Sequence, residues 1–249
     1  MGRGKRSCGP YPLRIMKSKI FARIAVLVSA TFIATGIILM LAGQSGVEQK
    51  SSPTLENAAH QDAEGGSACE INWPQLPETA IAWIKVPGTK IDYPVAQGAL
   101  EDPDFYLSHD IEGLYSVWGT PYVAADCTDG LGSKFVVVYG HHMSDGTVFA
   151  NLASFSDLDY AKEHEDVILY TREGERNLKV AAVNVVNASY EQPKYDFASW
   201  EELSEYMNSQ VAESEVVLRE VPEGRQVYAF VTCSYQTSNS RTIVYAIEE

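Results

Sequence analysis

The chain has 249 residues, 45% of them hydrophobic and 10% aromatic, which supplies one sizeable domain with a core and excludes a disordered protein. Its formal charge of −14 is unevenly spread: Arg3, Lys5, Arg6, Arg14, Lys17, Lys19 and Arg23 precede the first acidic residue, Glu48, and everything after Arg23 carries 12 basic against 33 acidic residues. Phosphate would be repelled by that acidic body, so nucleic-acid binding is excluded as a working function.

Residues 1–23 read as a basic N-terminus. The next run, Ile24 to Ala42 ("IAVLVSATFIATGIILMLA"), holds 19 uncharged residues, about 28 Å of helix and enough to span a bilayer. A buried core helix is rarely apolar all round and flanked on one side by seven positive charges. A cleaved signal peptide usually has a shorter apolar region, about 7 to 15 residues. An uncleaved single-pass anchor over residues 24–43 is therefore expected in the cell membrane, with residues 1–23 cytoplasmic and the acidic body extracellular. Residues 44–70 are polar and small with no hydrophobic period, the composition of a flexible linker. As a coil this stretch would reach about 28 Å, which keeps the following domain, residues 71–249, near the membrane.

Within that domain short apolar runs alternate with turn signals. Ala80 to Ile84 with Val86, and Ile91 to Val95, read as strands bounded by Pro87-Gly88 and Gly98. Pro103 to Ser108 suggests a helical turn. Six further strands are expected over Pro121–Ala125, Phe135–Tyr139, Val167–Thr171, Leu178–Val186, Val227–Thr232 and Thr242–Ile247. A short helix is expected from Thr147 to Phe155. A second, Ser199 to Asn208, opens on the S-x-x-E capping box of Ser199 and Glu202. A mainly β domain of eight strands with few helices implies a barrel or a sandwich.

Two places carry candidate chemistry. "VVVYGHHMSDGT", Val136 to Thr147, runs an apolar strand into Gly140 and two histidines. Successive residues of an extended segment point opposite ways, so one of His141 and His142 is expected to face the site. "VYAFVTCSYQTSNSRTIVYAI" ends a strand on Cys233 and opens the returning strand at Arg241. A hairpin would set sulfur and guanidinium at the same mouth. From reference values of about 8.5 and 6.5, the ion pair of Cys233 and His141 would be only about 1% as populated as the neutral pair. A positive neighbour such as Arg241 would raise that share and could also hold an oxyanion. Taken singly, each of the three is more often a core thiol, a structural imidazole or a solvated cation. His60 falls in the linker, and His109 and His164 sit in acidic surroundings. The other cysteines are Cys8, Cys69 and Cys127; with no C-x-x-C spacing, no metal site or disulfide-dense scaffold is expected.

"YGHHMSDGTVF" followed by "VTCSYQTSNSR" resembles the class B sortases, and the resemblance runs from about Ala82 to Ile247 through "WIKVPGTKIDYPVAQG" and "DFYLSHD". It implies an eight-stranded sortase-type β-barrel with a few short helices. It also implies a cysteine transpeptidase without cofactor, with His141, Cys233 and Arg241 as family histidine, nucleophile and transition-state arginine. The implied partners are secreted proteins bearing a Pro-x-Thr sorting signal and a peptidoglycan cross-bridge or its lipid-linked precursor. A pilin-polymerising sortase and a secreted cysteine peptidase are the neighbouring readings, and an anchored binding module the non-enzymatic one. Cys127 departs from the family pattern, and in an oxidising location a bridge from Cys69 to Cys127 is one pairing open to it, though the sequence does not decide it.

Overall fold

The computed structural model describes residues 71–189, 194–236 and 239–249. The expected anchor, basic N-terminus and linker lie outside these residues, and no helix among the described residues is long and apolar enough to cross a membrane.

Nine strands form one sheet: β1 (Ala80–Lys85), β2 (Asp92–Gln97), β3 (Tyr122–Val123), β4 (Phe135–Tyr139), β5 (Asp166–Thr171), β6 (Gly174–Asn187), β7 (Val216–Val217), β8 (Val227–Ser234) and β9 (Ser240–Glu248). Eight of them close on themselves in the order β5-β1-β2-β3-β4-β8-β9-β6, with β6 returning to β5, so the sheet is a barrel. Closure depends on β6, whose first half pairs with β5 and second half with β9; the register slips between Val180 and Ala182, where the long strand changes neighbours. β7 adds a short ninth strand to β6 at Ala182 and Val183. Two residues carry too little periodicity to announce a strand, which is why β7 is not legible in the sequence.

β4 has the expected bounds, and the other expected strands are present with shifted ends. β6 starts at Gly174 rather than Leu178, because a tight hairpin from β5 begins pairing at once. The expected Thr147–Phe155 helix is a 3-10 stretch over Ala150–Ser156, followed by a helix that the sequence did not announce, α1 (Leu158–Glu163). Asp157 caps α1 by accepting from the amides of Asp159 and Tyr160. The second helix, α2 (Trp200–Ala212), starts where the capping box put it: Ser199 Oγ accepts from the Glu202 amide at 3.1 Å. Glu202 reaches back to the Ala198 amide, one residue beyond the usual partner, and takes Lys194 Nζ at 2.6 Å. Leu203 and Met207 of α2 are buried, and Tyr206 stacks edge-on to Phe135 of β4.

Most pairings are antiparallel, but β2 runs parallel to β3 and β4 to β8, Phe135 opposite Val227 through Tyr139 opposite Val231. The β4–β8 pairing needs a long crossover, and its effect is positional. The carboxyl ends of β4 and β8, and the amino end of β9, all open on one rim. A second, smaller apolar cluster lies outside the barrel wall, where Ile71, Leu76, Trp83, Tyr106, Ile111 and Tyr122 pack together and hold the 105–111 loop beside that rim.

Of the pairing between Cys69 and Cys127, the structure describes only Cys127. Cys127 is a free thiol, 1% exposed, with its sulfur 3.5 Å from both the Phe135 carbonyl and the Val137 amide. It fills the barrel wall as a small apolar residue, and Cys69 lies outside the described residues.

Candidate active site

The histidine arrives at the rim because β4 ends against a crowded corner. The Gly140 amide donates to the Val231 carbonyl at 3.1 Å, one last rung of the β4–β8 ladder. A Cβ at Gly140 would lie 2.5 Å from the ring of Phe149, which is fully buried. Only glycine lets the chain pass that ring and turn outward. Beyond it, the Phe149 amide donates to the His141 carbonyl at 2.9 Å, and the Asp-Gly-Thr run closes the loop. There Asp145 Oδ1 accepts both the amide and the hydroxyl of Thr147, Gly146 adopts φ 81, and Trp118 Nε1 reaches Asp145 Oδ2. The two Thr147 hydrogen bonds hold the Asp145 carboxyl below its ordinary range.

His141 is half-buried, and its Nε2 lies 2.7 Å from the Leu107 carbonyl. A carbonyl only accepts, so Nε2 carries the proton and Nδ1 is the ring nitrogen left for acid–base work. The donor site depends on the 105–111 loop, with Leu107 34 positions from His141 along the chain; Leu107 falls within the DFYLSHD stretch, but nothing there marks its carbonyl as the histidine's partner.

Cys233 sits on β8, exposed, directly opposite Arg241 of β9 in the strand register. Residues facing each other across an antiparallel pair stand on the same side of the sheet with Cβ atoms about 4.5–5.5 Å apart. The intervening loop is fastened at both ends: Ser234 Oγ donates to Ser240 Oγ at 3.0 Å, Gln236 Nε2 to the Ala153 carbonyl at 2.8 Å, and Asn239 takes the left-handed φ of 56 that asparagine tolerates.

Cys233, Arg241 and His141 line one open cleft of about 340 Å³, together with Gly140, Leu107, Ala124 and Val231. Three tyrosines add a polar wall. Tyr139 and Tyr195 share a hydroxyl hydrogen bond of 2.8 Å, and Tyr122 reaches Asp104 at 3.4 Å. Burial pushes the Tyr122 phenol above its ordinary range and Asp104 adds to this, while Arg241 opposes it. Tyr122 therefore stays a neutral donor beside the guanidinium. Tyr139 opens the YGHH stretch, but the sequence assigned none of these tyrosines to the site, since aromatic residues in strands read as core.

His142 takes the opposite direction from His141. Its Nδ1 lies 2.8 Å from the Cys233 carbonyl and its ring packs edge-on to Tyr235 at 4.9 Å. His109 stacks flat on Phe105 at 3.9 Å and bonds the Phe105 carbonyl, and His164 bonds the Pro87 carbonyl; both are structural. His60 lies outside the described residues. Among the described residues no three His, Cys, Asp or Glu side chains converge to hold a metal ion.

Comparison with known proteins returns one family. The sortase domain model matches residues 84–249. Sortase B of Listeria monocytogenes is 27% identical over 149 residues, covering 55% of this chain and 60% of the relative, so the match spans well under two thirds of that protein's length. Sortase B of Staphylococcus aureus is 24% identical over 174 residues, covering 67% of this chain and 68% of the relative. Among solved structures, sortase B of Clostridium perfringens superposes with a TM-score of 0.63 at 29% identity, covering 69% of this chain and 94% of that one.

Proposed function

The chain belongs to the sortase family, with its relatives among class B members, and from that premise we propose that it is a membrane-anchored cysteine transpeptidase acting outside the cell. Its donors are secreted proteins carrying a Pro-x-Thr sorting signal, and its acceptor is an amine of the peptidoglycan cross-bridge or of its lipid-linked precursor. The observation that carries this reading is the register of Cys233 opposite Arg241 on a cleft that His141 also lines.

The chemistry follows from those groups. The Cys233 thiolate attacks the carbonyl carbon of the signal threonine, forming a carbon–sulfur bond and an oxyanion. Arg241 offers a planar fork of donors to that oxygen, and Tyr122 stands beside it as a neutral hydroxyl. As the carbon–nitrogen bond breaks, the His141 imidazolium gives its proton to the departing amine, leaving a thioester on Cys233. An incoming amine then attacks the thioester, His141 takes its proton, and the thiolate leaves as the new amide forms. The acidic body and the anchor expected over residues 24–43 support a site working at the outer membrane face, where secreted substrates emerge.

The test is incubation of the full chain in detergent with peptides bearing Pro-x-Thr cores and candidate cross-bridge amines. Mass spectrometry should find a thioester on Cys233 and more ligated than hydrolysed product, both absent in Cys233→Ala. Hydrolysis alone across every amine would replace transpeptidase by peptidase, and no acylation by any core would overturn the reading.

A further inference from the structure

The β4–β8 ladder ends at Gly140, whose amide donates to the Val231 carbonyl. Carbonyls two residues apart on a strand point the same way, so the Cys233 carbonyl faces the side on which β4 has already turned away. The strand that should have supplied its donor is missing there. His142 supplies it instead, with Nδ1 2.8 Å from that oxygen. Because a carbonyl only accepts, Nδ1 carries the proton. One residue back on the same edge, Thr232 Oγ1 donates to the Gly140 carbonyl at 2.9 Å, so two side-chain rungs extend the ladder past its backbone end.

We propose that His142 is a positioning residue for the nucleophile: its Nδ1–H extends the sheet by one rung and fixes the backbone that carries the Cys233 sulfur. His142 is itself held at its backbone and at its ring. His142 makes a β-bridge to Val148, whose left-handed φ of 54 is itself kept by the Tyr93 hydroxyl on its amide at 3.1 Å. Its ring packs edge-on against Tyr235, which is 77% exposed and immediately follows the cysteine's neighbour Ser234. His142 does not line the cleft, so it acts through Cys233 and touches no substrate. The two adjacent histidines thus have separate tasks around Cys233. His141 exchanges protons within the cleft, and His142 holds the strand end from outside it.

The inference rests on the transpeptidase reading only for its turnover measurement, and alkylation of Cys233 needs no sorting signal. The full chain in detergent is treated with iodoacetamide and the rate of modification at Cys233 is followed by peptide mapping in wild type, His142→Ala, His142→Leu and His142→Asn. Leucine keeps bulk against Tyr235 without a donor, whereas the asparagine amide places its NH₂ near the Nδ1 position. Alanine and leucine should slow alkylation about five- to ten-fold, the scale of one ordinary hydrogen bond, and asparagine should return it to within about two-fold of wild type. Peptide acylation should lose kcat in the same order with KM unchanged. Asparagine no better than leucine would show that packing alone matters and overturn the proposal, as would alanine alkylating at the wild-type rate. A wild-type chain that alkylates but acylates no peptide would count against the transpeptidase reading and leave this one standing on the alkylation series.

Discussion

Replacing Gly140 by alanine adds one methyl group at the point where β4 hands the chain to His141. That methyl carbon would sit 2.5, 2.6 and 3.0 Å from three atoms of the Phe149 ring, against about 3.5–4.0 Å for ordinary carbon contact. The ring must retreat by about 1 Å, and it has nowhere to go: Phe149 is fully buried and lies edge-on to Phe230 on β8, with centroids 6.4 Å apart. Overpacking of this kind costs about 1–3 kcal/mol, which for a domain of this size lowers the melting temperature by roughly 3–10 °C. The Phe149 amide also holds the His141 carbonyl, so moving one drags the other, and a displacement near 1 Å at a reacting group costs on the order of 10²-fold in rate. The assay pairs thermal unfolding with single-turnover acylation of Cys233. Adding Phe149→Leu to Gly140→Ala should recover part of the melting temperature, since the shorter side chain vacates the contact and the two changes couple. A Gly140→Ala chain that melts and acylates as wild type would refute the steric account of why glycine precedes the histidine.

Arg241→Lys keeps the charge opposite Cys233 but loses the planar fork, so acylation should fall by roughly 10² while the melting temperature stays within about 2 °C; a wild-type rate would remove Arg241 from the chemistry. Alkali should destabilise the domain. Burial raises the Cys127 thiol and the Tyr93, Tyr122, Tyr160 and Tyr228 phenols, so the folded chain holds these protons more tightly than the unfolded one. Their contribution is complete below the unfolded values, about 8.5 for a thiol and 10 for a phenol, and is lost as pH rises through the folded values. Urea midpoints should therefore begin to fall above about pH 8.5, and Cys127→Ala should delay that onset toward pH 10; a midpoint rising between those values would contradict the assignment.

Much of the strand content was legible because an alternating or continuous apolar run of five or six residues leaves few other readings, as at Phe135–Tyr139 and Val227–Thr232. The Ser199 capping box likewise named the start of α2, since one side-chain oxygen meeting one orphan amide is a local event. The hairpin relation of Cys233 to Arg241 was also local, spanning seven residues of loop. What the sequence left open depends on contacts between distant segments. The parallel pairing of β4 with β8, which brings His141 to Cys233 across about ninety residues, follows from barrel closure, and no periodicity encodes which strands lie side by side. Leu107, Tyr122 and Tyr195 enter the site through backbone or side-chain partners far along the chain. The histidine pair shows both halves at once. Their adjacency and opposite directions are properties of an extended chain, readable from two letters. Which of them faces the cleft, and that the other completes an unfinished sheet edge, was decided only where β4 ends one rung before β8 does.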